Sequence, residues 1–144
     1  MRLMSVVIAV VIVGVLFISC SSRSVADIKQ EAANVKTAIT AQYRKISPEL
    51  AKEMIDSDEP LIILDVRTEA EYQAGHIAGA LLLPNEEIEK TTQPIELPDL
   101  DAVILVYCRS GNRSAQAARK LGALGYVNVY DFGGIIDWPY EIVR

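Results

Sequence analysis

The 144-residue sequence predicts an α/β domain with a mainly parallel sheet and helices on both of its faces. From about residue 43 onward, short apolar runs alternate with helix-forming stretches, which is the order that builds parallel sheets through crossover helices. The apolar runs are continuous, as in strands that are covered on both faces. Polar residues end two of these runs, at Asp65 and Cys108. Ligand sites of open parallel sheets lie at these carboxyl ends of the strands.

The first half of the domain begins near Tyr43-Arg44-Lys45-Ile46 and contains strong signals for a helix start. Ser47-Pro48-Glu49 combines a capping hydroxyl, a proline at the first helical position and an acidic residue in the first turn. The elements predicted after this helix are a strand at 61–64, a capped helix at 68–72 ended by Gly75, a strand at 80–83 ended by Pro84, and a small helix at 85–89.

The second half continues the same alternation after a connection. Residues 90–101 contain two prolines and are predicted to form a surface connection. The elements predicted after it are a strand at 102–107, a helix at 114–124 and a strand at 127–130. The domain is therefore expected to cover residues 43–144.

The N-terminal segment predicts export from the cytoplasm. Residues 3–18 are apolar except for Ser5 and Gly14 and follow Met1-Arg2, as in the first two regions of a signal sequence. Ser19 then precedes Cys20, which resembles a bacterial lipobox with a lipidated cysteine, although Phe17 stands where leucine is usual. The alternative is an uncleaved anchor. Residues 1–19 are thus a signal peptide or anchor, and residues 20–42 a polar tether. Both interpretations place the domain in a bacterial cell envelope, outside the cytoplasmic membrane or in the periplasm.

Charge and cysteine content narrow the classes of function. Removing residues 1–19 takes away Arg2 only, so the formal net charge changes from −5 to −6, which disfavours nucleic-acid binding. His76 is the only histidine, and no Cys/His cluster has the spacing of metal ligands. We therefore expect neither a metal nor a cofactor. If Cys20 carries lipid, Cys108 is the only free thiol and has no disulfide partner in its own chain.

The segment Cys108-Arg109-Ser110-Gly111-Asn112-Arg113-Ser114 carries the functional prediction. A cysteine at the end of a buried strand and the start of a helix lies where unpaired backbone N–H groups lower a thiol pKa. Gly111 permits the backbone conformations that turn successive N–H groups into an anion-binding nest. Either arginine can add positive charge, and Ser114 is expected to help cap the helix. The alternative is a buried, inert cysteine beside solvated arginines.

Three motifs in the chain together resemble a single-domain rhodanese. They are the loop CRSGNRS, the pair of segments 65–72 (DVRTEAEY) and 75–80 (GHIAGA), and the C-terminal segment 126–138 (YVNVYDFGGIIDW). The resemblance covers about residues 43–144. It implies a rhodanese-like fold with a five-stranded parallel sheet flanked by helices on both faces, and sulfurtransferase chemistry of the thiosulfate:cyanide type.

The resemblance also implies a role for each residue of the site. Cys108 would carry the sulfane sulfur as a persulfide, backbone N–H groups from Arg109 through Ser110, Gly111 and Asn112 to Arg113 would stabilise it, and the side chain of Arg109 or Arg113 would hold an anionic donor. The positions that match structural or pocket-supporting residues are Asp65, Arg67, Glu71 and His76. Arg67 and Glu71 lie four residues apart, a spacing that suits an ion pair on one helical turn. For His76, fixing a loop is favoured over an acid–base role.

The expected partners follow from this chemistry. The donor would be thiosulfate, polysulfide or a persulfide, the acceptor a thiol, sulfite or cyanide, and a protein redox partner is an option. Phosphatase activity is disfavoured because four residues, instead of the five of cysteine phosphatases, separate Cys108 from Arg113. A non-catalytic module that binds sulfide, a persulfide or a protein at the membrane is the alternative.

Overall fold

The computed structural model describes residues 24–26, 29–30 and 43–144. The predicted signal sequence, Cys20 and most of the predicted tether lie outside the described residues. Within the described ranges, no helix is both long enough and apolar enough to cross a membrane.

Five strands form one sheet in the order β1-β5-β4-β2-β3, and every neighbouring pair is parallel. The strands are β1 (Tyr43–Lys45), β2 (Ile62–Asp65), β3 (Leu81–Leu82), β4 (Val103–Cys108) and β5 (Asn128–Gly134). The predicted fold class is confirmed. β1 is the strand that the residue pattern did not reveal, since its three residues are half-buried or exposed and carry no apolar run.

Within residues 43–144, three α-helices and one 3₁₀ helix accompany the sheet: α1 (Pro48–Ile55), α2 (Glu69–Ala74), α3 (Asn112–Leu124) and the 3₁₀ helix Ile135–Asp137. The predicted caps of α1 and α2 are confirmed. Ser47 caps α1 by accepting a hydrogen bond from the Leu50 backbone N–H at 3.2 Å. Thr68 and Glu71 form a reciprocal capping box at the start of α2, and Gly75 ends that helix.

The core lies on both faces of the sheet. On one face, the alanines of α3 pack closely against the central strands in a cluster that includes Leu64, Ile104, Val106, Ala117, Ala118 and Leu121. On the other face, α1 contributes Ala51 to a cluster that includes Tyr107, Phe132 and Trp138. Burial on both faces explains why the central strands are continuous apolar runs.

The structure corrects one prediction for the segment between β3 and β4 and confirms another. Residues 85–89 do not form a helix; residues 85–87 form a single turn closed by the Glu87 N–H and the Pro84 carbonyl at 2.9 Å. The reason is that Asn85 bonds tertiary partners: its N–H donates to Val66, and its carbonyl accepts from Lys120. The predicted surface connection at 90–101 is confirmed as a mostly exposed stretch without helix or strand, and within it the side chain of Leu97 is fully buried.

Candidate active site

Cys108 is the last residue of β4, and its side chain is 1% exposed. Asp65 is the last residue of the adjacent strand β2, where it pairs in register with Tyr107. The sequence prediction that Asp65 and Cys108 lie at the same edge of the sheet is therefore correct. Residues 109–111 connect Cys108 directly to α3, so the thiol lies between the end of a strand and the start of a 13-residue helix.

The loop folds back over its own cysteine. The Gly111 N–H donates to Cys108 Sγ at 3.1 Å. Gly111 has a φ of 93°, in the left-handed region that glycine adopts without steric cost, and it is the N-cap residue of α3. A backbone N–H and the positive end of the helix dipole therefore both lie beside the sulfur, where they interact favourably with negative charge.

Ser114 holds the helix start differently from what the sequence indicated. A capping serine accepts a hydrogen bond from a backbone N–H. Here the fully buried Ser114 hydroxyl lies 3.1 Å from the Gly111 carbonyl and 3.3 Å from the Gly133 carbonyl, and it serves as their donor. Its position in the first turn, three residues beyond Gly111, puts the hydroxyl beside carbonyl groups. Ser114 thus connects the loop to the end of β5.

The end of β5 forms the floor beneath the loop. A Cβ added to Gly134 would lie 2.5 Å from the Arg109 carbonyl oxygen and 2.6 Å from Ser110 Cα, which are backbone atoms that cannot easily move. A β-bulge precedes this contact, and the Asp131 carboxylate accepts from the Gly133 N–H at 3.0 Å. Sequence reasoning missed Gly134 as part of the site, and the Gly-Gly pair at the end of a strand was the available signal.

The two arginines of the loop have different environments. Arg113 makes a two-pronged ion pair with Glu71, in which Nη1 and Nη2 each lie 2.7 Å from one carboxylate oxygen. Hydrogen bonding from Arg113 is the main cause that lowers the pKa of Glu71 to about 2. The same contact, with smaller contributions from Cys108 and Glu86, raises the pKa of Arg113. Arg109 is exposed to solvent.

The predicted ion pair between Arg67 and Glu71 is wrong. Arg67 precedes Thr68, the N-cap residue of α2, so the four-residue helical spacing does not apply to it. Its guanidinium instead bonds the Asp65 carboxylate through Nε at 2.9 Å and Nη2 at 2.6 Å, and Nη2 also reaches the Gly75 carbonyl at 2.7 Å. This pair fixes the turn that follows β2.

Tyr107 is a buried residue that packs beside the Asp65–Arg67 pair. The Arg67 guanidinium lies 5.5 Å from the centre of the Tyr107 ring, and the Tyr107 hydroxyl accepts a hydrogen bond from the Ile77 N–H at 3.2 Å. Burial, together with the nearby Asp65 carboxylate, raises the pKa of Tyr107 well above its ordinary value. The hydroxyl is therefore neutral at any physiological pH.

His76 forms hydrogen bonds to α2 and to the C-terminal segment. Its Nδ1 is 3.0 Å from the Tyr72 carbonyl, and its ring stacks on Tyr72 at 3.7 Å between centroids. Its backbone pairs with Val143 in an isolated antiparallel bridge. These contacts agree with the interpretation of His76 as a loop-fixing residue, and its role stays a prediction. Within the described ranges, no group of three or more potential metal-ligating side chains comes together.

Comparisons with known proteins agree with this geometry. The family profile described as "Rhodanese-like domain" matches residues 47–139. The chain is 41% identical over 95 residues to the putative sulfur carrier protein YrkF of Bacillus subtilis, an alignment that covers 65% of this chain and 50% of YrkF. It is 38% identical over 104 residues to the thiosulfate sulfurtransferase GlpE of Pseudomonas entomophila, covering 72% of this chain and 87% of GlpE. The chain thus spans half of the first relative and most of the second.

Solved structures show the same fold. A rhodanese-related protein from Thermoplasma volcanium superposes with a TM-score of 0.60 at 33% identity, over 70% of this chain and 98% of the other. A rhodanese from E. coli, solved with anions, superposes with a TM-score of 0.52 at 34% identity, over 58% and 96% of the two chains.

Proposed function

Because the chain belongs to the rhodanese family of sulfurtransferases, we propose that it transfers a sulfane sulfur from a donor such as thiosulfate or polysulfide to a thiophilic acceptor through a persulfide on Cys108. One observation supports this assignment above all others. In the described part of the chain, the Gly111 N–H is the only group that donates a hydrogen bond to Cys108 Sγ. It lies 3.1 Å from the sulfur, at the start of α3. That arrangement places positive partial charge beside the sulfur, where it would stabilise the negative charge of a bound persulfide.

The transfer would take place in two balanced steps. The Cys108 thiolate attacks the outer sulfur of thiosulfate, the S–S bond of the donor breaks, and its electron pair leaves with sulfite. The enzyme then holds a persulfide, whose terminal sulfur is negatively charged and lies among the N–H groups of the loop. In the second step a thiolate, sulfite or cyanide attacks that terminal sulfur, and the electron pair of the S–S bond returns to Cys108.

Relatives of known activity support sulfur transfer in general. GlpE and the PspE protein of Escherichia coli, which is 35% identical over 74 residues, are both named thiosulfate sulfurtransferases. We propose that the sulfur donor is bound by the exposed side chain of Arg109. Arg113 is less suited to this role, because both of its terminal nitrogens already bond Glu71.

Mass spectrometry of the full chain tests the proposal directly. After treatment with thiosulfate or polysulfide, we expect Cys108 to gain the mass of one sulfur atom, which cyanide then removes as thiocyanate. Cys108→Ser should abolish both signals, whereas Cys20→Ser, the same substitution at the other cysteine, should leave them intact. If no donor adds sulfur to Cys108, the transfer function is refuted in favour of the alternative, a binding module for sulfide, a persulfide or a protein.

We further propose that the domain is held at the outer side of the cytoplasmic membrane by lipid on Cys20. Support comes from the apolar residues 3–18 followed by Ser19-Cys20. Growth of the expressing bacterium with an alkyne-bearing fatty acid should label the wild-type protein and leave Cys20→Ser unlabelled. Equal labelling of both proteins, or none of either, would contradict the lipid anchor.

A further inference from the structure

The Glu71–Arg113 pair bears on which donors the cysteine loop accepts. Arg113 lies in the first turn of α3, five residues after Cys108, and points back to α2. Its two terminal nitrogens each contact a different oxygen of Glu71. This fork-to-fork geometry fixes the plane of the guanidinium and occupies the edge that would otherwise grip a two-oxygen anion.

Glu71 is itself held in place and cannot turn away from Arg113 without losing other contacts. Its Oε2 accepts hydrogen bonds from the Thr68 backbone N–H at 3.1 Å and from the Thr68 hydroxyl at 3.0 Å. These bonds belong to the capping box of α2. Because the pKa of Glu71 is lowered to about 2, its carboxylate is charged throughout the physiological range. The positive charge of Arg113 is therefore cancelled at all times.

We propose that Glu71 determines the charge of the sulfur donor. With Arg113 neutralised, Arg109 is the one loop arginine without an ion pair in the described part of the chain. Such a site favours donors with a single negative charge, such as organic persulfides and thiosulfonates, over the thiosulfate dianion. The inference depends on the proposed sulfur transfer and specifies its donor class, with Glu71 as a specificity-determining residue that acts through Arg113.

Two donors that differ by one charge provide the test. Thiosulfate and methanethiosulfonate deliver the same outer sulfur and release sulfite or methanesulfinate, respectively. We expect Glu71→Gln to raise kcat/KM for thiosulfate, relative to methanethiosulfonate, by about three- to tenfold, the size of one uncancelled charge a few ångströms away in a partly hydrated site. Glutamine keeps an oxygen that the capping box can use, so the start of α2 is retained.

Glu69→Gln is the matched control. Glu69 lies on the same helix, carries the same charge and bonds Gln73 instead of Arg113. We expect this variant to change the ratio between the two donors by less than about twofold. An unchanged ratio in Glu71→Gln would overturn the inference, as would an equal change in both variants or a parallel loss of activity toward both donors.

Alkylation of Cys108 provides a second readout that needs no sulfur transfer. Iodoacetate is an anion and iodoacetamide is neutral, and both react with the same thiolate. The ratio of their rates therefore reports the electrostatic potential at the sulfur, because a change in the thiol pKa affects both rates equally. Glu71→Gln should raise the iodoacetate-to-iodoacetamide ratio by about three- to tenfold. If wild-type Cys108 accepts no sulfur, the proposed function fails, but the alkylation ratio still shows whether Glu71 controls the charge at the sulfur. An unchanged alkylation ratio in Glu71→Gln overturns the inference.

Discussion

Two carboxylate–arginine pairs lie near the carboxyl edge of the sheet, and their surroundings differ. The side chains of Asp65 and Arg67 are 0% and 6% exposed, and the guanidinium also bonds a backbone carbonyl. The side chains of Glu71 and Arg113 are 26% and 25% exposed. A buried charge left without its partner is costly, whereas water can replace a partner near the surface. We therefore expect the buried pair to contribute mainly to stability, and the partly exposed pair to act as proposed on the charge beside the cysteine.

The largest expected effect is that of Asp65→Asn. This change leaves the Arg67 guanidinium buried beside a neutral amide, which should lower the free energy of unfolding by about 3–5 kcal/mol. Urea unfolding followed by circular dichroism measures the loss. Glu71→Gln, the corresponding change in the partly exposed pair, should cost less than about 1 kcal/mol. Equal losses in the two variants would show that burial does not separate the two pairs.

Tyr107→Phe tests whether the Tyr107 hydroxyl, beside the buried Asp65–Arg67 pair, also stabilises the fold. The change removes the acceptor of the Ile77 N–H and should cost about 1–3 kcal/mol, because that backbone group is left unpaired in the core. Tyr130→Phe is the control, since the Tyr130 hydroxyl bonds the exposed Arg44 guanidinium, and it should cost less than about 0.5 kcal/mol. Unfolding in urea again supplies the numbers. A smaller loss of unfolding free energy in Tyr107→Phe than in Tyr130→Phe would show that the Tyr107 hydroxyl does not stabilise the fold.

Sequence reasoning succeeded where the deciding interactions are local. The start of α1 depends on Ser47 and Pro48, and the start of α2 on Thr68 and Glu71, which lie within one turn of each other. The position of Cys108 at a strand end followed from the apolar run directly before it. In each case the residues that determine the structure are neighbours in the chain.

Most of the details that sequence reasoning missed involve partners that are distant in the chain; the pairing of Arg67 with Asp65, two residues away, is the exception. Glu71 and Arg113 are 42 residues apart, so the sequence could not show which arginine of the loop is already paired. The turn at Asn85 depends on Lys120, 35 residues away. The contact of Gly134 with the loop likewise exists only once β4 and β5 are paired. Tertiary hydrogen bonds decided these details against local preference.

Acid should remove the stabilising contribution of the Glu71–Arg113 pair. The pKa of Glu71 is about 2 in the folded protein, against 4.5 for an ordinary glutamate. A lowered folded-state pKa stabilises the fold above the unfolded-state value, and this contribution is lost as the pH falls from about 4.5 to about 2. The stability difference between the wild type and Glu71→Gln, no more than about 1 kcal/mol, should be constant from pH 7 to pH 5 and then vanish. Urea unfolding at successive pH values measures it, and a difference that already declines between pH 7 and pH 5 would contradict the ion pair.

The smallest effect is expected for Arg113→Lys, which separates charge from geometry in the partly exposed pair. A lysine ammonium keeps the positive charge beside Glu71 and loses the two-pronged contact. Since both groups are a quarter exposed, the free energy of unfolding should fall by only about 0.5 kcal/mol. The ratio of iodoacetate to iodoacetamide alkylation at Cys108 should stay within about twofold of wild type, because the local charge is unchanged. If Arg113→Lys shifted that ratio as far as Glu71→Gln, the orientation of the guanidinium, instead of its cancelled charge, would govern access of anions to the cysteine.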